Sequence, residues 1–162
     1  MEQADIPVSV PLTKLLIVVL GEGKSFRLQA RGFSMLPFIF DGDFITVSPL
    51  SSRPPVVGEV VAFFRPGTET LVVHRVIKKA NNAYWIKGDN IRDADGLIPR
   101  QNIIGYVTKV ERKGGEVFLG MGPERKIIVL FSRLKVISYL LLAWKILIPS
   151  CIRERIKCRM VS

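Results

Sequence analysis

The chain has 162 residues, of which 48% are hydrophobic and 23% are charged, and its net charge is +10. This length suits one domain with a short appendage. The charge is uneven, because residues 1–122 hold 15 Lys and Arg against 12 Asp and Glu, whereas residues 123–162 hold 9 against 2. The basic excess therefore belongs to an apolar tail, which favours an anionic lipid surface as partner and argues against nucleic acid, whose binders carry a basic stripe with stacking aromatics on the folded domain.

The start of the chain predicts a short helix after a loose lead-in. Residues 1–11 contain two prolines and no hydrophobic period. Leu12–Leu20 is an apolar run that ends at Gly21 and Gly23, and it falls far short of the roughly 20 residues that span a bilayer. It also lacks a small-residue cleavage site, so a removable signal peptide is not expected. We predict a short helix packed on the domain.

Short apolar runs separated by turn residues fill the middle of the chain. The predicted strands are Phe26–Ala30, Phe44–Val47, Val60–Phe64, Leu71–Ile77, Tyr84–Lys87, Ile103–Glu111 and Glu116–Leu119. Gly88–Pro99 has no period and many acidic and glycine residues, which indicates a loop. So many short strands with almost no helix predict a mainly β fold, a coiled antiparallel sheet with a short N-terminal helix and a C-terminal apolar helix.

The tail contains a second apolar segment, residues 127–149. Its 23 residues are enough to cross a bilayer, but Arg133, Lys135 and Lys145 interrupt it, and each costs about 2.5–3.5 kcal/mol at mid-membrane. Three alternatives stay open: a spanning helix with snorkelling ends, an interfacial helix, or a core helix on the sheet. We expect membrane association, with the basic end at 153–159 in the cytoplasm if the helix spans.

Three segments follow from this organisation: residues 1–24, a β domain over 25–122, and a basic, apolar tail over 123–162. The two cysteines, Cys151 and Cys158, both lie in the tail. On a helix they would stand about 10 Å apart, too far for a disulfide.

Ser34 is the first candidate for chemistry. It lies in an irregular segment between the first two predicted strands, with Gly32 before it and Pro37 after it. Such a turn holds a hydroxyl with its own amide free to face a developing oxyanion. The alternative is a loop serine that caps a turn.

His74 is the single histidine, placed mid-strand in V-V-H-R-V. A serine nucleophile needs a base, and an imidazole base needs a carboxylate to fix its tautomer. The acidic loop that follows offers Asp89, Asp93 and Asp95. A structural histidine is the alternative, because most proteins contain all three residue types. One histidine does not supply zinc-ligand spacing, and no phosphate-binding glycine motif or EF-hand spacing is present, so we expect no metal and no cofactor.

Five motifs in order resemble those of the type I signal peptidase family. They are Ser34-Met35-x-Pro37, Gly42-Asp43, V-G-E-V-V-A-F-F at 57–64, V-V-H-R-V at 72–76, and K-G-D-N at 87–90 followed by Asp95. The resemblance runs from about Phe26 to Val110. In that family the base is a lysine in most bacterial enzymes and a histidine in the endoplasmic-reticulum and archaeal type, which His74 matches. The related LexA-like peptidases share the fold but use a Ser-Lys pair.

The resemblance implies a Ser-His-Asp arrangement. Ser34 would be the nucleophile and one oxyanion donor, and His74 the general base. Asp95 would be the acid, since the similar eukaryotic sequences place it six residues after the Asp of G-D-N. Asp93 and Asp89 are the alternative acids.

Two further residues receive a place from the same resemblance. Met35 would brace the substrate pocket beside the serine. Gly32 occupies the substrate-binding position where some members carry a hydroxyl that helps to form the oxyanion hole, so the second donor is unassigned.

The implied function is a serine endopeptidase that cleaves signal or leader peptides of preproteins after small residues near a membrane. This chain departs from the family by lacking a spanning helix just before the serine, and its long apolar segment is C-terminal. The alternatives are a dedicated processing or self-cleaving LexA-like peptidase, and a catalytically silent binding module docked to membrane.

Overall fold

The computed structural model describes residues 10–50, 53–68, 70–118, 120, 122 and 124–133. It begins with helix α1, Val10–Gly21. The strands that follow are β1 Phe26–Gln29, β2 Phe44–Pro49, β3 Val60–Phe64, β4 Leu71–Ala80, β5 Ala83–Lys87, β6 Gly96–Pro99, β7 Ile103–Arg112 and β8 Gly115–Glu116. A single 3-10 turn, Arg100–Asn102, precedes β7, and helix α2 covers Arg125–Arg133.

The strands form one antiparallel sheet in the order β1-β2-β7-β3-β4-β5-β6, with β8 paired to β7. The predicted mainly β fold and the short N-terminal helix are thus confirmed. The prediction of a loop up to Pro99 is wrong over its last four residues, because Gly96–Pro99 pairs with β5. This edge strand buries Ile98 and leaves Leu97 49% exposed. These two residues are its only neighbouring large apolar side chains, which is too short a run to show the two-residue hydrophobic period of a strand.

Both faces of the sheet are buried at its centre. Along β3, Val60 and Ala62 belong to one hydrophobic cluster, whereas Val61 and Phe63 belong to the other. This follows from the alternation of side chains along a strand. The first face is covered by α1, which contributes Leu16 to the core and leaves its opposite side apolar and exposed.

The most unusual core residue is Arg75, which is fully buried in the middle of β4. Its Nε donates to Asp89 Oδ1 at 2.9 Å and its Nη2 donates to Asp89 Oδ2 at 2.8 Å. Its Nη1 donates to the carbonyl oxygens of Gly58 and Gly120, each at 2.8 Å. A buried charge is tolerated only when it is paired and hydrogen-bonded, and Arg75 meets both conditions.

The end of the described chain packs on the sheet domain. In α2, Ile128 and Val129 are buried, whereas Ile127 is 57% and Leu130 is 55% exposed. Arg125 Nη1 lies 3.6 Å from Glu59 Oε1. The start of the predicted apolar segment 127–149 is therefore helical, and its remainder, the lead-in 1–9, both cysteines and the basic end lie outside the described residues. Within the described ranges, no helix combines the length and apolarity needed to cross a bilayer.

Glu124 binds two amides that precede α2 in the chain. Its Oε1 accepts hydrogen bonds from the amides of Gly120 at 2.7 Å and Gly122 at 3.0 Å. Its own amide, that of Gly122 and that of Gly120 hold the pKa of the Glu124 carboxyl below its usual range, and the nearby charge of Arg75 acts in the same direction. The contribution of these contacts to stability is therefore present at neutral pH and is lost as the pH falls through the lowered pKa.

Replacing Arg75 by Met should lower the free energy of unfolding by about 3–5 kcal/mol, because Asp89 is then left as an uncompensated buried charge. Urea denaturation of the full chain measures this. The matched control is Lys24→Met, whose pair with Glu22 has side chains 71% and 54% exposed and is expected to change stability by about 0–1 kcal/mol. Equal midpoints for the two variants would contradict the prediction.

Candidate active site

Ser34 lies in a loop that the backbone closes at its base. The amide of Ala30 donates to the carbonyl of Asp43 at 2.7 Å, and the amide of Gly42 donates to the carbonyl of Ala30 at 2.9 Å. Inside the loop, the amide of Gly32 donates to Asp41 Oδ1 at 2.8 Å. The loop is therefore ordered by its own hydrogen bonds, and Ser34 is half-buried within it.

The Gly-Asp motif anchors this loop to the sheet. Gly42 has a φ of 87°, which favours glycine. Asp43 Oδ2 accepts from the amide of Phe40 at 2.8 Å and from Arg112 Nη2 at 2.7 Å. Arg112 is on β7, so the charge pair joins the loop that carries Ser34 to a central strand.

Met35 lies under the loop and is 5% exposed, within the hydrophobic cluster that contains α1. The carbonyl of Met35 accepts from the amides of Phe38 and Ile39, each at 3.0 Å. The side chain of Met35 therefore packs in the hydrophobic core, and the turn that follows Ser34 is hydrogen-bonded to the Met35 carbonyl.

His74 is on β4, its side chain 3% exposed, and its Nδ1 lies 2.6 Å from Asp95 Oδ2. Asp95 precedes β6 and its amide donates to the carbonyl of Ile86 at 2.9 Å. The ring of Phe63 lies against the imidazole at a centroid distance of 6.3 Å. The carboxylate that contacts the imidazole is therefore Asp95.

The two alternative acids have other surroundings. Both Asp89 oxygens accept hydrogen bonds from Arg75, and Asp93 is exposed. Of the three aspartates that the sequence offered, Asp95 is the one in the orientation that a histidine base requires.

The second nitrogen of His74 lies across Gly88 from the loop that carries Ser34. A Cβ added to Gly88 would stand 2.9 Å from His74 Nε2 and 2.9 Å from the carbonyl oxygen of Ser34. The amide of Asn90 donates to that same carbonyl at 2.8 Å, and Asn90 Nδ2 donates to the carbonyl of Phe33 at 3.0 Å. The turn 88–90 thus binds the main chain of the loop that carries Ser34, here called the serine loop. The absence of a side chain at Gly88 leaves space for His74 Nε2.

Three residues that organise the site were not singled out from the sequence. Arg75, Gly88 and Asn90 all lie inside the quoted motifs V-V-H-R-V and K-G-D-N. For Arg75, the available signal was a charged residue among the apolar residues of a predicted strand, which indicates a buried partner of opposite charge. In the described part of the chain, no group of three or more His, Cys, Asp or Glu side chains is arranged to hold a metal ion.

Replacing Gly88 by Ala should reduce the reactivity of Ser34 toward a fluorophosphonate probe about a hundredfold, because the added methyl group displaces the imidazole or the serine loop. Rates of labelling of the full chain, followed by mass spectrometry, measure the effect. Gly115→Ala is the matched control, since its Cβ would meet only the carbonyl of Arg112, at 3.6 Å. A Gly88→Ala protein that reacts at the wild-type rate would show that the space at Gly88 is not needed.

Comparison with known proteins places this sequence in a family. The family model of Peptidase S24-like proteins matches residues 2–108, well over half of the chain, including the serine loop, β4 and the turn before β6. No curated protein is similar enough to be matched. The family indicates a serine-type peptidase within the LexA and signal peptidase I-like superfamily. The chain belongs to the Peptidase S24-like family.

Proposed function

We propose that the chain is a serine endopeptidase of the signal peptidase I kind, which cleaves signal or leader peptides after small residues near a membrane. Ser34 is its nucleophile, His74 its general base and Asp95 the carboxylate that orients the base. The single observation that carries the proposal is the 2.6 Å contact between His74 Nδ1 and Asp95 Oδ2 in a buried setting. It is supported by the position of His74 Nε2 across Gly88 from the main chain of Ser34.

The proposed reaction follows the roles of these groups. The Ser34 Oγ attacks the substrate carbonyl while its proton passes to His74 Nε2, and Asp95 stabilises the imidazolium that forms. The proton then passes to the leaving amine as the peptide C–N bond breaks. Water adds to the acyl-enzyme ester by the same proton transfer, which releases the acid product and restores Ser34. The amide of Ser34 is the first oxyanion donor.

The substrate is proposed to bind as an added strand. β1 lies at one end of the sheet, where it pairs with β2, and it leads directly into the loop that carries Ser34. An extended peptide beside β1 would be held by main-chain hydrogen bonds, with shallow pockets for alternate side chains. The preference for small residues is what the resemblance to signal peptidases implies.

Ser34→Ala and His74→Ala should each lower peptide cleavage by about three orders of magnitude or more, because removing either member dismantles the unit. The measurement is cleavage of a library of extended peptides with alanine at a single position, read by mass spectrometry. Ser25→Ala is the matched control, since Ser25 is exposed and its hydroxyl lies 2.8 Å from that of Ser48. A folded Ser34→Ala or His74→Ala protein with near-normal turnover would remove that residue from the mechanism.

A second candidate function is processing of a particular partner or of the chain itself. It is favoured by the match to the S24-like family, because LexA-like peptidases cleave themselves. Incubation of the purified chain alone separates the two, since Ser34-dependent fragments would identify self-cleavage. A silent binding module is the remaining alternative, and the absence of Ser34 labelling by the fluorophosphonate probe in the folded wild type would favour it.

We also propose that residues 127–149 and the basic end bind an anionic membrane surface. Support comes from the exposed Ile127 and Leu130 at the start of this segment. It also comes from four basic residues beyond it, Arg153, Arg155, Lys157 and Arg159. Apolar side chains next to basic ones suit the boundary between headgroups and acyl chains.

The full chain should therefore sediment with phosphatidylcholine vesicles that contain phosphatidylserine. Replacing the four basic residues of 153–159 by Gln should weaken this binding about a hundredfold or more, because each contributes about 1 kcal/mol near an anionic surface. Vesicles of phosphatidylcholine alone are the control for the apolar contribution. Failure of the wild type to sediment with either vesicle would contradict the membrane proposal without touching the peptidase proposal.

A further inference from the structure

Asp95 has a second partner besides the imidazole. Its Oδ2 contacts His74, whereas its Oδ1 lies 3.4 Å from Arg65 Nη2. The Asp95 side chain is 2% exposed and that of Arg65 is 27% exposed. We propose that Arg65 is a positioning residue that acts through Asp95 to fix the orientation of His74. The inference rests on the proposed function for its meaning in catalysis, but the contact itself can be tested without any substrate.

The turn that carries Arg65 fixes its backbone. Arg65 follows β3 directly, and its amide donates to the carbonyl of Thr70 at 3.1 Å. Its carbonyl accepts from the amide of Thr68 at 3.0 Å and from the hydroxyl of Thr68 at 3.2 Å. Gly67, with a φ of 78°, completes the turn. The guanidinium therefore projects from an ordered hairpin end whose second strand, β4, carries His74.

The two contacts of Asp95 restrain it in different ways. A carboxylate held at one oxygen can still rotate about its Cβ–Cγ bond, and rotation would misalign the hydrogen bond to Nδ1. A cation at the other oxygen opposes that rotation.

The partial exposure of Arg65 determines what the contact contributes. Charge pairs that water reaches add little to global stability, so the effect of Arg65 should be on local alignment. This distinguishes Arg65 from Arg75, whose fully buried pair supports the fold.

The test uses the one imidazole of the chain. Because His74 is the only histidine, labelling histidine with 15N gives a single Nδ1–H signal, which a carboxylate partner shifts to low field and protects from exchange with water. In Arg65→Gln, exchange of this proton should be about tenfold faster, the factor expected when a charged hydrogen bond is lost. Arg65→Lys keeps the charge and should recover part of the protection.

A matched variant controls for the removal of a guanidinium elsewhere in the chain. Arg27→Gln removes an exposed guanidinium that pairs with Glu111 at 2.8 Å and should leave the His74 signal unchanged. The backbone amide spectrum reports whether each variant is folded. If Arg65→Gln does not fold, Arg65→Met takes its place. Wild-type exchange in a folded Arg65→Gln or Arg65→Met protein overturns the proposal.

The reactivity of Ser34 provides the second arm. Labelling by the fluorophosphonate probe should be about tenfold slower in Arg65→Gln than in the wild type, with partial recovery in Arg65→Lys. If Arg65→Gln speeds proton exchange but labels at the wild-type rate, the alignment is real and its catalytic meaning is overturned. If the folded wild type does not label at all, the peptidase function fails, while the exchange measurement still decides whether Arg65 positions His74.

Discussion

The ion pair between Arg75 and Asp89 determines where the site residues stand. It joins β4 to the turn 88–90 and, through two carbonyl groups, to the segments at Gly58 and Gly120. His74 immediately precedes Arg75 in the chain, and the neighbours of Asp89 are the two residues that meet the main chain of Ser34. A buried pair adds little net stability compared with apolar packing, since both charges lose their water. Its effect here is to hold the segments at Gly58, Asp89 and Gly120 in place around the guanidinium of Arg75.

Much of the fold follows from the sequence because its strands obey simple rules. β3 was predicted with its observed bounds, since five apolar residues between turn signals indicate a strand buried on both faces. β6 was missed because its pairing depends on β5, which supplies a hydrogen-bonding edge that no local pattern reveals. Tertiary context of this kind lies outside what periodicity measures.

The site was predicted less completely, and the physical reason differs from residue to residue. The choice of Asp95 over Asp89 and Asp93 came from family spacing, since charge and loop position are the same for all three. The apolar strand around Arg75 indicates that its guanidinium has a buried partner, but it does not indicate that this partner is Asp89. Gly88 matters because a side chain there would collide with His74 and with the main chain of Ser34. A pattern of side chains in the sequence does not predict such a close approach.

The proposed base, His74, has a geometric requirement that the lysine of the LexA-like peptidases lacks. The LexA-like peptidases pair serine with lysine, whose amine needs no second group to select a tautomer. An imidazole has two nitrogens, and one must be held by an acceptor if the other is to take a proton. The contact between His74 and Asp95 meets that need. His74 is on β4, whereas Asp95 lies in the connection between β5 and β6, so a histidine base at this position requires an aspartate from another part of the chain. In the proposed mechanism, His74 and Asp95 therefore form one unit and would have to change together.

The contact between Arg75 and the carbonyl of Gly120 extends the polar interior beyond the region that the family model matches. Gly120 lies beyond residues 2–108, which the family model matches, yet it supplies one of the two carbonyl acceptors of the buried guanidinium. A nascent chain that contains Ser34, His74 and Asp95 but has not yet exposed residue 120 lacks part of its interior. A fragment that ends at residue 108 would therefore leave one hydrogen bond of the buried Arg75 guanidinium unmade.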